Sequence, residues 1–126
     1  MESTPYLYDT LLSVLSQHAK WLDRRHRQTL AWMMVGLISS KTVSLGAWAP
    51  FVVSRARYAQ SIVRRFRRWL DNNRIKPESL YGPLIEKALG GWMGKRVYVA
   101  LDTSMLWNTY CLLRLSVIYR GRAVPL

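Results

Sequence analysis

The chain has 126 residues, half of them apolar and six of them Trp, enough to bury one core and to exclude wholesale disorder. Its 19 Lys and Arg stand against seven Asp and Glu, for a formal charge of +12. Such an excess opposes compaction unless a polyanion neutralises it, so nucleic acid or an anionic membrane surface is the expected partner. Arg outnumbers Lys, which favours phosphate, because the guanidinium fork engages two oxygens at once.

Cys111 is the only cysteine, so an internal disulfide is impossible and a reducing compartment fits. Its apolar neighbours predict a buried structural thiol. The opening Met1-Glu2-Ser3-Thr4-Pro5 lacks a basic head followed by an apolar block, so no secretory signal is expected.

Thr4-Pro5 reads as a helix N-cap followed by proline at the first helical position. Leu7, Leu11, Leu12, Val14, Leu15, Ala19 and Leu22 then recur at helical spacing. Asp23 is placed to cap a second helix that opens on the basic cluster Arg24-Arg25-His26-Arg27 and continues through Leu30, Met34, Leu37 and Ile38. Residues 29–53 carry one charge, Lys41, and are long enough to cross a bilayer. However, Ser39-Ser40-Lys41-Thr42 sits at the centre, where a Lys costs roughly 2.5–3.5 kcal/mol. Each apolar half is too short to span, and Pro50 breaks the second. The expectation is two short buried helices around a polar turn, with no membrane partner. Thr42 or Ser44 can cap the second of them, through Leu45, Trp48 and Phe51, in a helix-turn-helix pattern.

Residues 54–73 predict an amphipathic helix. Ala59, Ile62, Val63, Phe66, Trp69 and Leu70 form its apolar stripe. Arg57, Arg64 and Arg68 align on another face, with Arg55, Arg65, Arg67, Arg74 and Lys76 close by. Asp71 is the only acid in this stretch. A helix that is merely solvated mixes Glu with Lys for mutual support four residues apart, and this one does not. It is therefore expected to track DNA phosphates, with Arg57, Arg64 and Arg68 as principal contacts.

Asn72-Asn73 and Lys76-Pro77 end that helix. Pro77-Glu78 opens another, with Leu80, Leu84, Ile85, Ala88 and Leu89 inward, and Gly90-Gly91 stops it. The period then changes. Arg96-Val97-Tyr98-Val99-Ala100-Leu101 is a β-rich run ending at Asp102-Thr103-Ser104. A second run, residues 110–119, ends in the turn signal Arg120-Gly121-Arg122, and Ala123-Val124-Pro125-Leu126 opens a third strand. The expected fold is α+β: a helical basic DNA-binding region over residues 1–92, then a β-meander over residues 93–126 that is cut off as it begins.

This order of elements resembles the DDE transposases of bacterial insertion sequences, whose catalytic domain is RNase H-like. Val97-Tyr98-Val99-Ala100-Leu101-Asp102-Thr103-Ser104 looks like their first catalytic strand, which ends in the first acidic ligand. Residues 115–126, with the Tyr119-Arg120-Gly121 turn and the Val124-Pro125-Leu126 continuation, look like the strands that follow. Arg64-Arg65-Phe66-Arg67-Arg68-Trp69-Leu70 looks like the basic helix of the preceding DNA-binding region. The resemblance implies that Asp102 is the first acid of a triad holding two Mg²⁺ ions, which activate the nucleophile and stabilise the leaving oxygen in an in-line attack on phosphate. It implies an amino-terminal segment of a truncated RNase H-like domain, acting on DNA in the bacterial cytoplasm at the nucleoid, with a second copy or a full-length transposase as partner. The chain departs from the pattern after Asp102, where no acid follows. Glu78 and Glu86 lie on a helix where the pattern puts no ligand. Transposition chemistry by this chain alone, and tight Mg²⁺ binding, are therefore not expected.

Other chemistries find little footing. His18 and His26 lack Cys or acid at zinc-ligand spacing, Gly90-Gly91 and Gly94 lack the Lys and Ser or Thr of a phosphate loop, and Ser104 lacks a His partner. Trp92 and Trp107 are read as core aromatics. A stand-alone repressor-like DNA-binding module, with the β-segment as a dimerisation hairpin, is the alternative reading.

Overall fold

Asp23 shows how a single residue starts an element here. Its extended backbone turns the chain into a helix, and its carboxylate accepts the Arg25 N–H at 2.8 Å, satisfying one of the amides that the first turn leaves without a partner. The computed structural model describes residues 4–18, 21 and 23–126, apart from the side chain of His18. The expectations on Ala19, Leu22 and the His18 side chain lie outside the described residues. Five helices precede a three-stranded antiparallel sheet, so the class is α+β. Two compact units divide the chain, residues 1–84 and 85–126.

In the first unit, α1 (Thr4–His18) carries Pro5 in its first turn and buries Leu15, while Val14 is exposed. The helix that Asp23 caps, α2 (Arg24–Ser40), forms the centre of the core. Trp32, Met33 and Val35 pack there with Trp48, Ala49, Ile62 and Phe66. Leu37 and Ile38, through which the predicted helix continues, are exposed. The reason is a close crossing at Gly36, where an added Cβ would stand 2.4 Å from Trp48 Cβ and 3.0 Å from its Cα. That contact sets which face of α2 turns inward.

Lys41 ends α2 in the left-handed region (φ 58°) and donates its N–H to the Leu37 carbonyl at 2.9 Å. The chain then bends by 92° into α3 (Leu45–Trp48), continued by a 3₁₀ turn (Ala49–Phe51). The Trp48 indole N–H donates to the Thr42 carbonyl at 2.8 Å and fixes the corner. The predicted corner is present, but its second helix is a single turn with Trp48 and Ala49 buried and no basic residue on it. It is a packing corner rather than a reading head. Among the described residues no single helix is long and apolar enough to cross a membrane. The bent pair of α2 and residues 45–51 has the length and composition only when taken together.

The amphipathic helix is α4 (Ala59–Leu70), shorter than the predicted 54–73. Residues 54–58 are not helical, and Val53 and Tyr58 are exposed rather than packed on the core. In addition, Ser54 Oγ accepts the Ala56 N–H at 3.0 Å, a local turn that competes with helix. Helix begins where Ile62 and Phe66 reach the core. The next helix, α5 (Pro77–Gly90), was expected to bury a leucine-rich face, yet none of its residues is fully buried and Ala88 is exposed. Pro83 lies inside it, where the ring removes a backbone donor, and the two units divide just after it.

In the second unit, β1 (Val99–Leu106), β2 (Tyr110–Tyr119) and β3 (Arg122–Pro125) form a meander in the order β1-β2-β3. Arg120 and Gly121, at φ 49° and 75°, make the tight turn between β2 and β3 that the sequence signalled. The β1–β2 loop carries Trp107 and Asn108 in the left-handed region, at φ 52° and 57°. Trp107 is 85% exposed, and Cys111 is exposed too, so neither is the core residue expected. A three-stranded sheet has few interior positions, and only Ser116 and Val117 occupy them. Trp92 does pack, stacked on Tyr119 with ring centroids 5.4 Å apart.

Candidate nucleic-acid interface

An α-helix advances about 100° per residue, so Arg64, Arg67 and Arg68 share one side of α4 while Ile62, Phe66 and Trp69 share the opposite side. The structure buries Ile62 and Phe66 and leaves those three arginines exposed. None of them forms an ion pair among the described residues, where the pairs are Arg25–Asp23 and Arg114–Asp102. The result is a row of exposed guanidinium groups, without ion pairs among the described residues, anchored by an apolar back.

Arg65 lies at the edge of that row and turns toward α2. Its Nε donates to Thr29 Oγ1 at 2.9 Å, and Thr29 is itself buried. One turn on, the Trp69 indole N–H donates to the His26 carbonyl at 2.8 Å. Asn72 follows, its Oδ1 accepting the Arg74 N–H at 3.0 Å, which orients the amide nitrogen toward His26 Nε2 at 3.4 Å. The Arg65–Thr29 and Trp69–His26 bonds lock the amino-terminal half of α2 against the carboxyl-terminal half of α4. Between them lies an open cleft of about 290 Å³, walled by Arg25, His26, Thr29, Arg65, Arg68 and Asn72. Arg74 lines an adjoining recess with His26 and Asn72.

Among the described residues Asp23 is the only acid at the cleft. The Arg25 guanidinium lies 3.0 Å from it, and hydrogen bonds from the Arg25 side chain and backbone hold its carboxyl below the ordinary carboxylate value. The same pairing raises the Arg25 pKa. Asp23 therefore stays charged, yet Arg25 offsets it, and Arg65 and Arg68 remain in excess. On the core side, burial pushes the Tyr8 phenol above its ordinary pKa, while Arg65, Arg27 and Arg24 pull it down. Tyr8 stacks on Trp32 with centroids 4.1 Å apart.

Of the basic residues predicted to contact DNA, Arg64, Arg65, Arg67 and Arg68 lie together on α4. Arg55 and Arg57 lie in the non-helical segment before it, so Arg57 does not continue the helical face of Arg64 and Arg68. The Arg57 guanidinium carbon sits 6.0 Å from the centre of the Tyr58 ring. Arg74 and Lys76 are exposed in the link between α4 and α5. Sequence reasoning saw the Arg24-Arg25-His26-Arg27 cluster but not that α4 would close on it. A register of polar residues on α4 facing Thr29 would have been the signal, and Thr29 is too ordinary a residue to give one.

Asp102 was expected at the end of a strand. It lies instead in the middle of β1, opposite Arg114 in the register, and is exposed. The strand continues through Thr103-Ser104-Met105-Leu106 because those residues pair with residues 110–113 of β2. Asp102 Oδ1 accepts the Thr103 N–H at 2.9 Å, and Oδ2 accepts from the Arg114 guanidinium at 3.4 Å. A pair of metal ions needs carboxylates from several places. Among the described residues no three His, Cys, Asp or Glu side chains are grouped to hold a metal, and Asp102 is engaged by a cation. The residues do not fit that ligand set.

The fold and this geometry define a basic α+β protein that presents an arginine row, without ion pairs among the described residues, beside a cationic cleft. Compared with protein-family models, with curated proteins and with solved structures, the chain matches none.

Proposed function

We propose that this chain is a transposase-like DNA-binding protein, in which the helical unit holds DNA through its phosphates and the sheet corresponds to the opening strands of an RNase H-like domain. The observation that carries the reading is the acid-free face of α4, with Arg64, Arg67 and Arg68 exposed and without ion pairs among the described residues. An antiparallel meander following the basic helices supports the transposase comparison, since that is the order of elements the resemblance implies. A full-length transposase or a second copy is the protein partner that this reading proposes. A repressor-like module is the second reading, favoured by the open outer edge of β1.

Fluorescence-anisotropy titration of duplex DNA across a salt series tests the assignment. The expected log–log slope is about −0.9 per phosphate contacted, so Arg64→Ala with Arg67→Ala should flatten it by one to two such steps. A folded sample that fails to bind duplex at low salt would overturn the DNA reading.

A further inference from the structure

The arginine row and the cleft share Arg68 but differ as devices, since Arg64 and Arg67 stand outside the cleft while Arg25 and Arg65 line it. Exposed guanidinium groups on a row can follow a polyanion without fixing where each phosphate sits. A cleft with locked walls selects a position.

We propose that the cleft between α2 and α4 is a seat for one phosphate group of the bound DNA, a deepening that rests on the DNA-binding reading. Four features converge on this assignment. Arg25, Arg65 and Arg68 all reach the cleft, against one acid among the described residues, Asp23, which Arg25 already pairs. Arg65 spends its Nε on Thr29 and so holds its two terminal nitrogens in a fixed plane, the fork that suits two phosphate oxygens. The Arg65 side of the cleft is set before any ligand arrives, by the Trp69–His26 and Arg65–Thr29 hydrogen bonds between α4 and α2, so that side needs little ordering on binding. The cleft's volume of about 290 Å³ admits a phosphate with its adjoining sugar but leaves no room for a duplex, so the group must enter from a backbone laid across the mouth. Two sources share this chemistry: an internal phosphodiester, or the phosphate at a DNA end.

Inorganic phosphate is the first probe, titrated into the full chain by ¹H–¹⁵N NMR with the Trp69 indole N–H as reporter. Saturable shifts are expected at Trp69, with Arg68→Ala raising the dissociation constant at least about tenfold and Arg64→Ala, outside the cleft, leaving it unchanged. Both variants are exposed on α4, and circular dichroism checks that each folds. The same two variants are then compared for duplex binding across the salt series, using a 5′-phosphorylated duplex, a 5′-hydroxyl duplex and a closed dumbbell. Equal affinity for all three assigns the seat to an internal phosphate, and preference for the phosphorylated end assigns it to a terminus. Phosphate shifts at Trp69 without duplex binding would keep the seat and overturn the DNA reading. Duplex binding with no phosphate response at Trp69, and equal losses in Arg64→Ala and Arg68→Ala, would overturn the seat and keep the DNA reading.

Discussion

At the scale of single residues, the structure turns on places where one side chain decides a geometry. Gly36 is the clearest. In a helix interior Ala is favoured over Gly by about 1 kcal/mol, so propensity alone predicts that Gly36→Ala stabilises. The Cβ it adds would meet Trp48 at 2.4 Å, and with the Trp48 Cα at 3.0 Å the backbone cannot simply give way. Overpacking of this kind costs about 1–3 kcal/mol, so the variant is expected to be destabilised on balance, by urea unfolding. An unchanged or higher midpoint would show that α2 and α3 separate at little cost. Asp23 makes the second residue-scale prediction. Its folded pKa is lowered by the Arg25 hydrogen bonds, so its contribution is present above the unfolded value and lost as the pH falls through the folded one. Asn can still cap a helix but does not titrate in this range. The stability difference between the native chain and Asp23→Asn should therefore be constant above about pH 5 and shrink below about pH 4. A constant difference down to pH 2 in thermal melts would remove Arg25 as its cause.

At the scale of elements, α4 and the β1–β2 hairpin differ in how they are held. Helix α4 has an apolar side that is satisfied and a basic side that is open, and it begins only at Ala59, after the exposed stretch of residues 53–58. The hairpin holds a bulky side chain in the left-handed region at Trp107, where a residue with a Cβ costs roughly 1–2 kcal/mol. The indole is 85% exposed and recovers little of that by packing. Trp107→Gly is expected to stabilise the hairpin by about 1 kcal/mol, read as slower amide exchange in β1 and β2. Faster exchange in the variant would mean that the indole contributes a contact worth more than the backbone strain.

At the scale of the whole molecule, the two units are unequal. Residues 1–84 surround a real core of Trp32, Met33, Val35, Trp48, Ile62 and Phe66. In residues 85–126, Val99, Leu101, Met105, Leu113 and Leu115 share one sheet face with Val117, and of these only Val117 is buried. A small sheet with open faces and unpaired edges is marginally stable in water. Hydrogen exchange by mass spectrometry should therefore find the slowest amides in α2 and α4 and distinctly faster ones throughout β1 and β3. Protection of β1 equal to that of α2 would show that the sheet faces are covered in solution.

Much of this was legible in the residues alone. The Asp23 cap, the break at Lys41, the extent of β2 and the Arg120-Gly121 turn follow from local chemistry, which acts between neighbours and leaves its mark in the order of residues. The apolar stripe of α4 and its acid-free opposite face were equally plain, because a helix repeats its environment every few residues. Other features depend on partners distant along the chain. Leu37 and Ile38 are exposed because Trp48 returns over Gly36, and Asp102 sits mid-strand because the Arg114 register extends β1 beyond it. The cleft exists because Arg65 finds Thr29, 36 positions away, and Trp69 finds His26, 43 away. The sequence by itself determined the charge, the helices and the turns. Only the tertiary structure decided that Arg65 and Arg68 line a cleft while Arg64 and Arg67 stand outside it, because that choice is made by packing between α2 and α4, not by either helix alone.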